Sequence, residues 1–276
     1  MASLLKGKDF ISTRGLPKKE IEFLLHSSDE MLGVLKKNET LDVLKGKTVV
    51  SLFFSPSLRT NSFFLSASHH LNANVINYGH LDAAELFKEE TLFHASRILS
   101  VVGDIMVIRH PRDGSAALAA EAASIPVINA GDGGNQHPAT AFSYFFELWK
   151  KKKLNGEIAL VGNLRESRTV HSLLYLLSHY DVSIDLVSTQ DQKLPSCMLN
   201  EIRDSVKIKE SSSFNPAGKS VVYATRMQKI VSIQDLFSVS SDVLLLRKRR
   251  SDEEVSEYAL NSIAVRMALL KELAGD

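Results

Sequence analysis

Ser57-Leu58-Arg59-Thr60 groups several kinds of anion-binding side chain within four residues. An apolar, β-branched run from Val49 to Phe54 ends in a Ser/Pro turn, and Phe64, Ala67 and Leu71 then recur at helical spacing. The four residues therefore fall where a strand feeds the start of a helix. Free backbone N–H groups and the positive end of the helix dipole favour an anion there. Ser57 and Thr60 add hydroxyls, and Arg59 adds a guanidinium that can grip phosphate or carboxylate through two parallel hydrogen bonds. Taken alone, the segment reads equally well as a helix cap beside a surface arginine.

The same chemistry recurs at other strand ends. DIMVIRHP places Arg109 and His110 at the end of an apolar run, and NAGDGGNQHPAT places Gln136 and His137 at a loop-to-helix junction. VGNLRESRTVHS puts Arg165 and Arg168 before or within the first turn of a helix, and YATRMQK offers Arg226 and Gln228. A basic run, Arg247-Lys248-Arg249-Arg250, follows the last apolar segment. A single such arginine is an ordinary solvated charge, but a series of them at strand ends is not demanded by core packing. The series predicts substrates carrying several negative charges, phosphate on one half of the molecule and carboxylates on the other.

Short apolar runs alternating with helical patterns must position these groups. The strands are expected at 47–54, 74–77, 104–109, 126–129, 157–162, 183–188, 220–224 and 242–246. The helices are expected at 17–36, 60–71, 89–101, 113–122, 137–151, 168–179, 193–204 and 254–274. This alternation predicts an α/β fold with mainly parallel sheets flanked by helices, and the strands divide into two groups of four around the glycine-rich stretch near 130–155. In such sheets ligands bind at the carboxyl ends of the strands, where all of the motifs above lie.

The chain has 276 residues, which favours two domains over one simple core. Its 33 basic and 32 acidic residues nearly cancel, which argues against bulk binding to nucleic acid or to an anionic membrane. The single cysteine, Cys197, allows no internal disulfide and no Cys-rich zinc site, and is read as structural. No long apolar signal core opens the chain and no stretch approaches the ~20 apolar residues of a membrane span, so a cytoplasmic protein is expected.

Together these segments resemble the aspartate/ornithine carbamoyltransferase family, the aspartate branch most closely. SLRT is similar to that family's S-T-R-T phosphate loop, and RHP and NAGDGGNQHPAT to its R-H-P and N-A-G-D-G-x-x-x-H-P-T-Q segments. VGNLRESRTVHSL resembles V-G-D-L-x-x-G-R-T-V-H-S-L, YATRMQK resembles Y-M-T-R-x-Q-K, and AVRMALL matches a C-terminal helix. The resemblance implies a carbamoyl phosphate-binding domain at 1–136, completed by the C-terminal helix 259–276, and an aspartate-binding domain at 137–258. It implies transfer of the carbamoyl group of carbamoyl phosphate to L-aspartate, the pyrimidine-pathway step, with no cofactor and no metal. Ser57, Arg59, Thr60, Arg109, His137 and Thr140 match the carbamoyl phosphate site, with Arg59, Thr60 and His137 directed at the carbonyl oxygen. Lys88, Arg168, Arg226 and Gln228 match the aspartate site. A homotrimer with shared sites is implied, Lys88 reaching in from the neighbouring subunit, and a regulatory chain or a pathway enzyme is a further candidate partner.

The sequence departs from the family pattern in four places. Thr140 stands where the family has a glutamine, and Ala84 where it has a serine on the neighbouring loop. The loop after Lys229 is roughly fifteen residues shorter than in the family. The H-P-L-P-R segment is absent, Lys248 and Arg249 standing about where Leu-Pro would, and a non-proline pair disfavours the cis peptide of that loop. These departures leave two alternatives open beside the aspartate transferase: a carbamoyltransferase with another acceptor, and a non-catalytic paralogue serving as a structural or regulatory subunit.

Overall fold

Two parallel sheets carry the fold. A computed structural model describes residues 3–79, 91–225, 230, 240, 243–246 and 251–275. The first sheet contains β1 (Thr48–Phe53), β2 (Asn74–Tyr78), β3 (Ile105–His110) and β4 (Val127–Asp132) in the order β2-β1-β3-β4. The second contains β5 (Glu157–Val161), β6 (Ser183–Val187), β7 (Lys207–Ser211), β8 (Lys219–Ala224) and β9 (Leu244–Leu246) in the order β7-β6-β5-β8-β9. The pairing registers run without interruption along β1, Val50 opposing Ile76 on one side and Met106 on the other. Each interior strand is a nearly continuous apolar run because both of its faces are covered by helices.

The α/β class and the doubling of the sheet match the sequence expectation, but the second sheet has five strands rather than four. The added strand is β7, whose sequence Lys-Ile-Lys-Glu-Ser exposes most of its side chains. It lies at the sheet edge, where lysines are favoured and no apolar run is needed. The helices among the described residues are α1 (Lys18–Lys36), α2 (Leu58–His70), α3 (Leu92–Val102), α4 (Ser115–Ala122), α5 (Pro138–Lys150), α6 (Arg168–Leu177), α7 (Ser196–Ile202) and α8 (Asp252–Ala274).

The C-terminal helix α8 is started by Ser251, whose hydroxyl accepts the Glu254 N–H at 3.2 Å, and three acids in its first turn complement the dipole. Its second half is buried against α1, α2 and α5, returning the end of the chain to the beginning as expected. The largest apolar cluster runs continuously from α1 and the first sheet through α5 and α6 into the second sheet. In the second sheet, buried Lys219 at the start of β8 meets Asp185 in the middle of β6 at 2.8 Å and also pairs with Glu157 at the start of β5, while Ser211 at the end of β7 donates to Asp185 at 2.6 Å. Cys197 is an exposed free thiol on α7.

Candidate active site

The strand orders fix where a ligand can sit. In the first sheet the connections leave β1 toward β2 on one side and β3 on the other, and in the second β5 is flanked by β6 and β8. Each reversal opens a crevice at the carboxyl ends of the central strands. The segments following β1, β4 and β5 face a shared cleft of about 710 Å³, joined by Arg109 near the end of β3 and by Tyr223 and Thr225 at the end of β8. Seven of the residues singled out from sequence line it: Ser57, Arg59, Thr60, Arg109, His137, Thr140 and Arg168. Lys88, Arg226 and Gln228 lie outside the described residues, as do Ala84, Lys248 and Arg249.

Three helices begin at this cleft: α2 behind Ser57, α5 behind His137 and α6 behind Ser167. None of these three N-cap side chains accepts a hydrogen bond from its own first turn. Ser57 instead donates to the Thr60 hydroxyl at 3.0 Å. The positive ends of three helix dipoles therefore lie along the cleft with none of the N-cap side chains turned back onto its own first turn, an arrangement suited to anions.

Charge reinforces that arrangement. Arg109 donates to the Ala130 carbonyl at 3.1 Å, its Nε has no partner, and no carboxylate pairs with it among the described residues. Burial, aided by the neighbouring Arg168 charge, draws its pKa down to about 10. Arg168 donates to the Gly133 carbonyl at 3.0 Å. His137 is buried, its backbone N–H donating to Ser172 Oγ at 2.9 Å and its ring Nε2 lying 3.0 Å from Thr140 Oγ1. Desolvation pushes the His137 pKa well below the usual histidine value, and the charges of Arg168, Arg109 and Arg266 push it further the same way.

The loop that carries these groups is held from behind. Asp132 accepts hydrogen bonds from Gly114, Asn129, Asn135 and Gln136 at 2.8–3.2 Å. Gly131, at φ +112°, lets the chain pass directly beneath Arg109, Arg168 and His137. His171 is buried with its ring nitrogens 3.0 and 2.8 Å from the Asn135 and Leu164 carbonyls, tying the β4–α5 loop to the segment after β5. His110 packs edge-on against Phe54 and takes the Arg112 N–H on Nδ1 at 3.0 Å.

The residues that sequence reasoning missed give the cleft an aromatic side. Tyr144 stacks on Tyr258 with ring centroids 5.1 Å apart and meets Tyr223 edge-on at 5.3 Å. Phe63 completes this aromatic side, and Arg266 of α8 also borders the cleft. An arginine inside the apolar run Ala264 to Leu270 was the available signal for Arg266, since such a position is buried.

A family model described as the carbamoyl-P binding domain of aspartate/ornithine carbamoyltransferase matches residues 8–150. The catalytic subunit of aspartate carbamoyltransferase from Thermoplasma acidophilum is 35% identical over 99% of this chain and 100% of its own length. That from Thermococcus kodakarensis is 39% identical over 81% of this chain and 74% of its own. Among solved structures, aspartate transcarbamoylase from Trypanosoma cruzi in complex with carbamoyl phosphate and aspartate superposes with a TM-score of 0.89 at 27% identity, covering 99% of both chains. The catalytic subunit of M. jannaschii aspartate transcarbamoylase gives 0.82 at 31% identity, covering 96% of this chain and 97% of that one. Matched by that family model over half of its length and by relatives of 35% identity along nearly all of it, the chain belongs to the aspartate/ornithine carbamoyltransferase family.

Proposed function

We propose that the chain is an aspartate carbamoyltransferase, making N-carbamoyl-L-aspartate and phosphate from carbamoyl phosphate and L-aspartate in pyrimidine biosynthesis. The observation that carries this reading is the cleft in which three uncapped helix starts, Arg59, Arg109, Arg168 and His137 surround one space. Ser57, Arg59, Thr60 and Arg109 hold the phosphate through charge-assisted hydrogen bonds and the α2 dipole. Arg59, Thr60 and His137 point donors at the carbonyl oxygen, with Thr140 behind His137. Arg168, together with Lys88, Arg226 and Gln228, receives the two aspartate carboxylates.

The amine nitrogen bonds to the carbonyl carbon, and the donors stabilise the negative oxygen that forms. The C–O bond to phosphate then breaks, and the departing phosphate takes the amine proton, so no dedicated base is required. Most of the acceleration comes from holding two anionic reactants in contact and from charge set in place beforehand.

The division of labour follows the two sheets: a carbamoyl phosphate domain at 1–136 completed by helix 259–276, and an aspartate domain at 137–258. Assembly is a homotrimer. Ile98, Val101 and Val102 share one exposed face of α3, with Val101 86% exposed, and Leu58 is 84% exposed beside the cleft. A second copy covering these side chains would remove apolar surface from water and bring its Lys88 to the site. No described helix is long and apolar enough to cross a membrane, and a cytoplasmic location accords with the substrates.

The test is phosphate release from carbamoyl phosphate with and without aspartate, beside Arg59→Ala. Aspartate-dependent turnover that falls at least ~10²-fold in the variant is the expected result. Turnover with a different amine would point to another acceptor. Binding without turnover would favour the non-catalytic paralogue.

A further inference from the structure

Arg266 is 1% exposed in the middle of α8. Its Nη1 donates to the Ser262 carbonyl at 2.7 Å and to Ser143 Oγ at 3.2 Å, and its Nη2 reaches Thr140 Oγ1 at 3.4 Å. The guanidinium lies 5.0 Å from the Phe64 ring centroid and 5.5 Å from that of Phe63. Its Nε has no partner, and no carboxylate pairs with it among the described residues. A buried cation with no counter-charge is costly, and a hydrophobic side chain of the same size would pack there without that cost. Its position behind Thr140, at the border of the cleft, gives it something to do.

The direction of the hydrogen bonds follows from what each group is able to donate. A guanidinium has donors and no acceptor, so Thr140 Oγ1 accepts from Arg266. The Thr140 hydroxyl proton is then free to go elsewhere, and the ring nitrogen 3.0 Å away is His137 Nε2. An imidazole that accepts on Nε2 and is uncharged carries its proton on Nδ1. The His137 Nδ1 is buried and has no hydrogen-bond partner among the described residues. Thr140 stands where the family pattern has glutamine; its hydroxyl keeps one proton to give after accepting from Arg266, and among the described residues His137 Nε2 is the one acceptor found beside it.

We infer that Arg266 and Thr140 are positioning residues: the relay from Arg266 through Thr140 to His137 fixes the histidine proton on Nδ1, and that N–H is the donor offered to the carbamoyl oxygen. The relay stands on the geometry of three side chains. Its use toward a carbonyl rests on the transferase reading.

Nitrogen-15 NMR of histidine-labelled protein separates the two parts, with the His137 signals identified by their loss in His137→Gln. In the unliganded wild type at pH 7, Nδ1 is expected in the protonated range and Nε2 in the unprotonated range. A proton on Nε2 would overturn the relay with no variant needed. Thr140→Val keeps the side-chain volume but removes the hydroxyl, and should give a mixture of tautomers that Thr140→Ser restores to one. Arg266→Met should loosen the preference in the same direction. An unchanged tautomer in Thr140→Val would also overturn the relay.

Phosphonoacetamide, a stable compound with an amide carbonyl near a phosphonate, should shift the Nδ1 resonance. Binding without that shift would overturn the carbonyl assignment. In kinetics, Thr140→Val should lower kcat about 10-fold or more, with the KM for aspartate little changed and with recovery in Thr140→Ser. A protein without transferase activity but with the proton on Nδ1 would sink the transferase reading and leave the relay standing.

Discussion

Replacing Gly131 with alanine tests whether the cleft works through close placement of its charged groups. Gly131 sits at φ +112°, a conformation that a side-chain-bearing residue adopts at a cost of about 1–3 kcal/mol. A Cβ there would lie 2.9 Å from Arg109 Nη1, 3.0 Å from the Arg168 guanidinium carbon and 3.1 Å from the His137 ring. All three groups must retreat by a few tenths of an ångström, and overpacking of this kind costs about 1–3 kcal/mol more. The summed loss of stability is therefore about 2–6 kcal/mol, offset slightly by the lower entropy of the unfolded alanine chain.

The functional loss in this variant should be larger than stability alone explains. An error of ~1 Å in placement can cost ~10²-fold in rate, so displacing three cleft groups together should lower kcat at least ~10-fold. Gly46→Ala supplies the control. Gly46 has φ +82° with nothing within 4 Å of an added Cβ, so it bears the conformational strain without touching the cleft. Urea unfolding and aspartate-dependent phosphate release are measured on both variants. Equal stability losses and equal, near-wild-type rates in the two would refute the claim that Arg109, Arg168 and His137 depend on the glycine beneath them.

Two further outcomes follow from named contacts. Lys219→Ala leaves the buried Asp185 carboxylate without its cation and should destabilise by about 3–5 kcal/mol in urea unfolding at pH 7, while leaving the KM values near wild type because neither Lys219, Asp185 nor Glu157 lines the cleft. Burial pushes the Asp185 pKa up, but hydrogen bonds from Lys219 and Ser211 and the Lys219 charge more than offset this and hold it below 3.8. The stability it contributes is therefore present above the unfolded carboxylate pKa of about 3.9 and lost as pH falls through the lower folded value, so Asp185→Asn should flatten the acid limb of the stability curve. On assembly, sedimentation should report three times the 30.5 kDa chain mass, and Val101→Glu should shift the mass toward a single chain; a wild-type mass of one chain would count against the trimer.

What was legible in the sequence was whatever depends on local order along the chain. Ser57, Arg59, Thr60, Arg109 and Arg168 could be placed because a strand end is readable from an apolar run followed by turn residues, and the parallel-sheet rule puts strand ends together. β7 was not legible because an edge strand of alternating lysines has no apolar run to betray it. The aromatic wall was hidden for a different reason. Tyr144, Tyr223 and Tyr258 come from α5, β8 and α8, and Tyr258 joins the other two only through the return of the C-terminal helix. Arg266 belongs to the same class: the match of AVRMALL to a terminal helix located the residue, but its path to Thr140 exists only once α8 crosses α5.

Two arginines at the cleft share an electrostatic design. Arg109 and Arg266 both have pKa values drawn down to about 10, chiefly by burial, so each bears a desolvation cost in the unliganded molecule. Each is held by neutral oxygens, the Ala130 carbonyl for one and Ser262, Ser143 and Thr140 for the other, and among the described residues neither is paired with an acid. A carboxylate partner would recover much of the desolvation cost, but it would also cancel the field that the cleft presents to an incoming anion. Carbonyls and hydroxyls orient a guanidinium while leaving its net charge intact. The counter-charge is therefore left for the ligand to supply, and the stability forgone in the empty cleft returns as binding when phosphate and carboxylate enter.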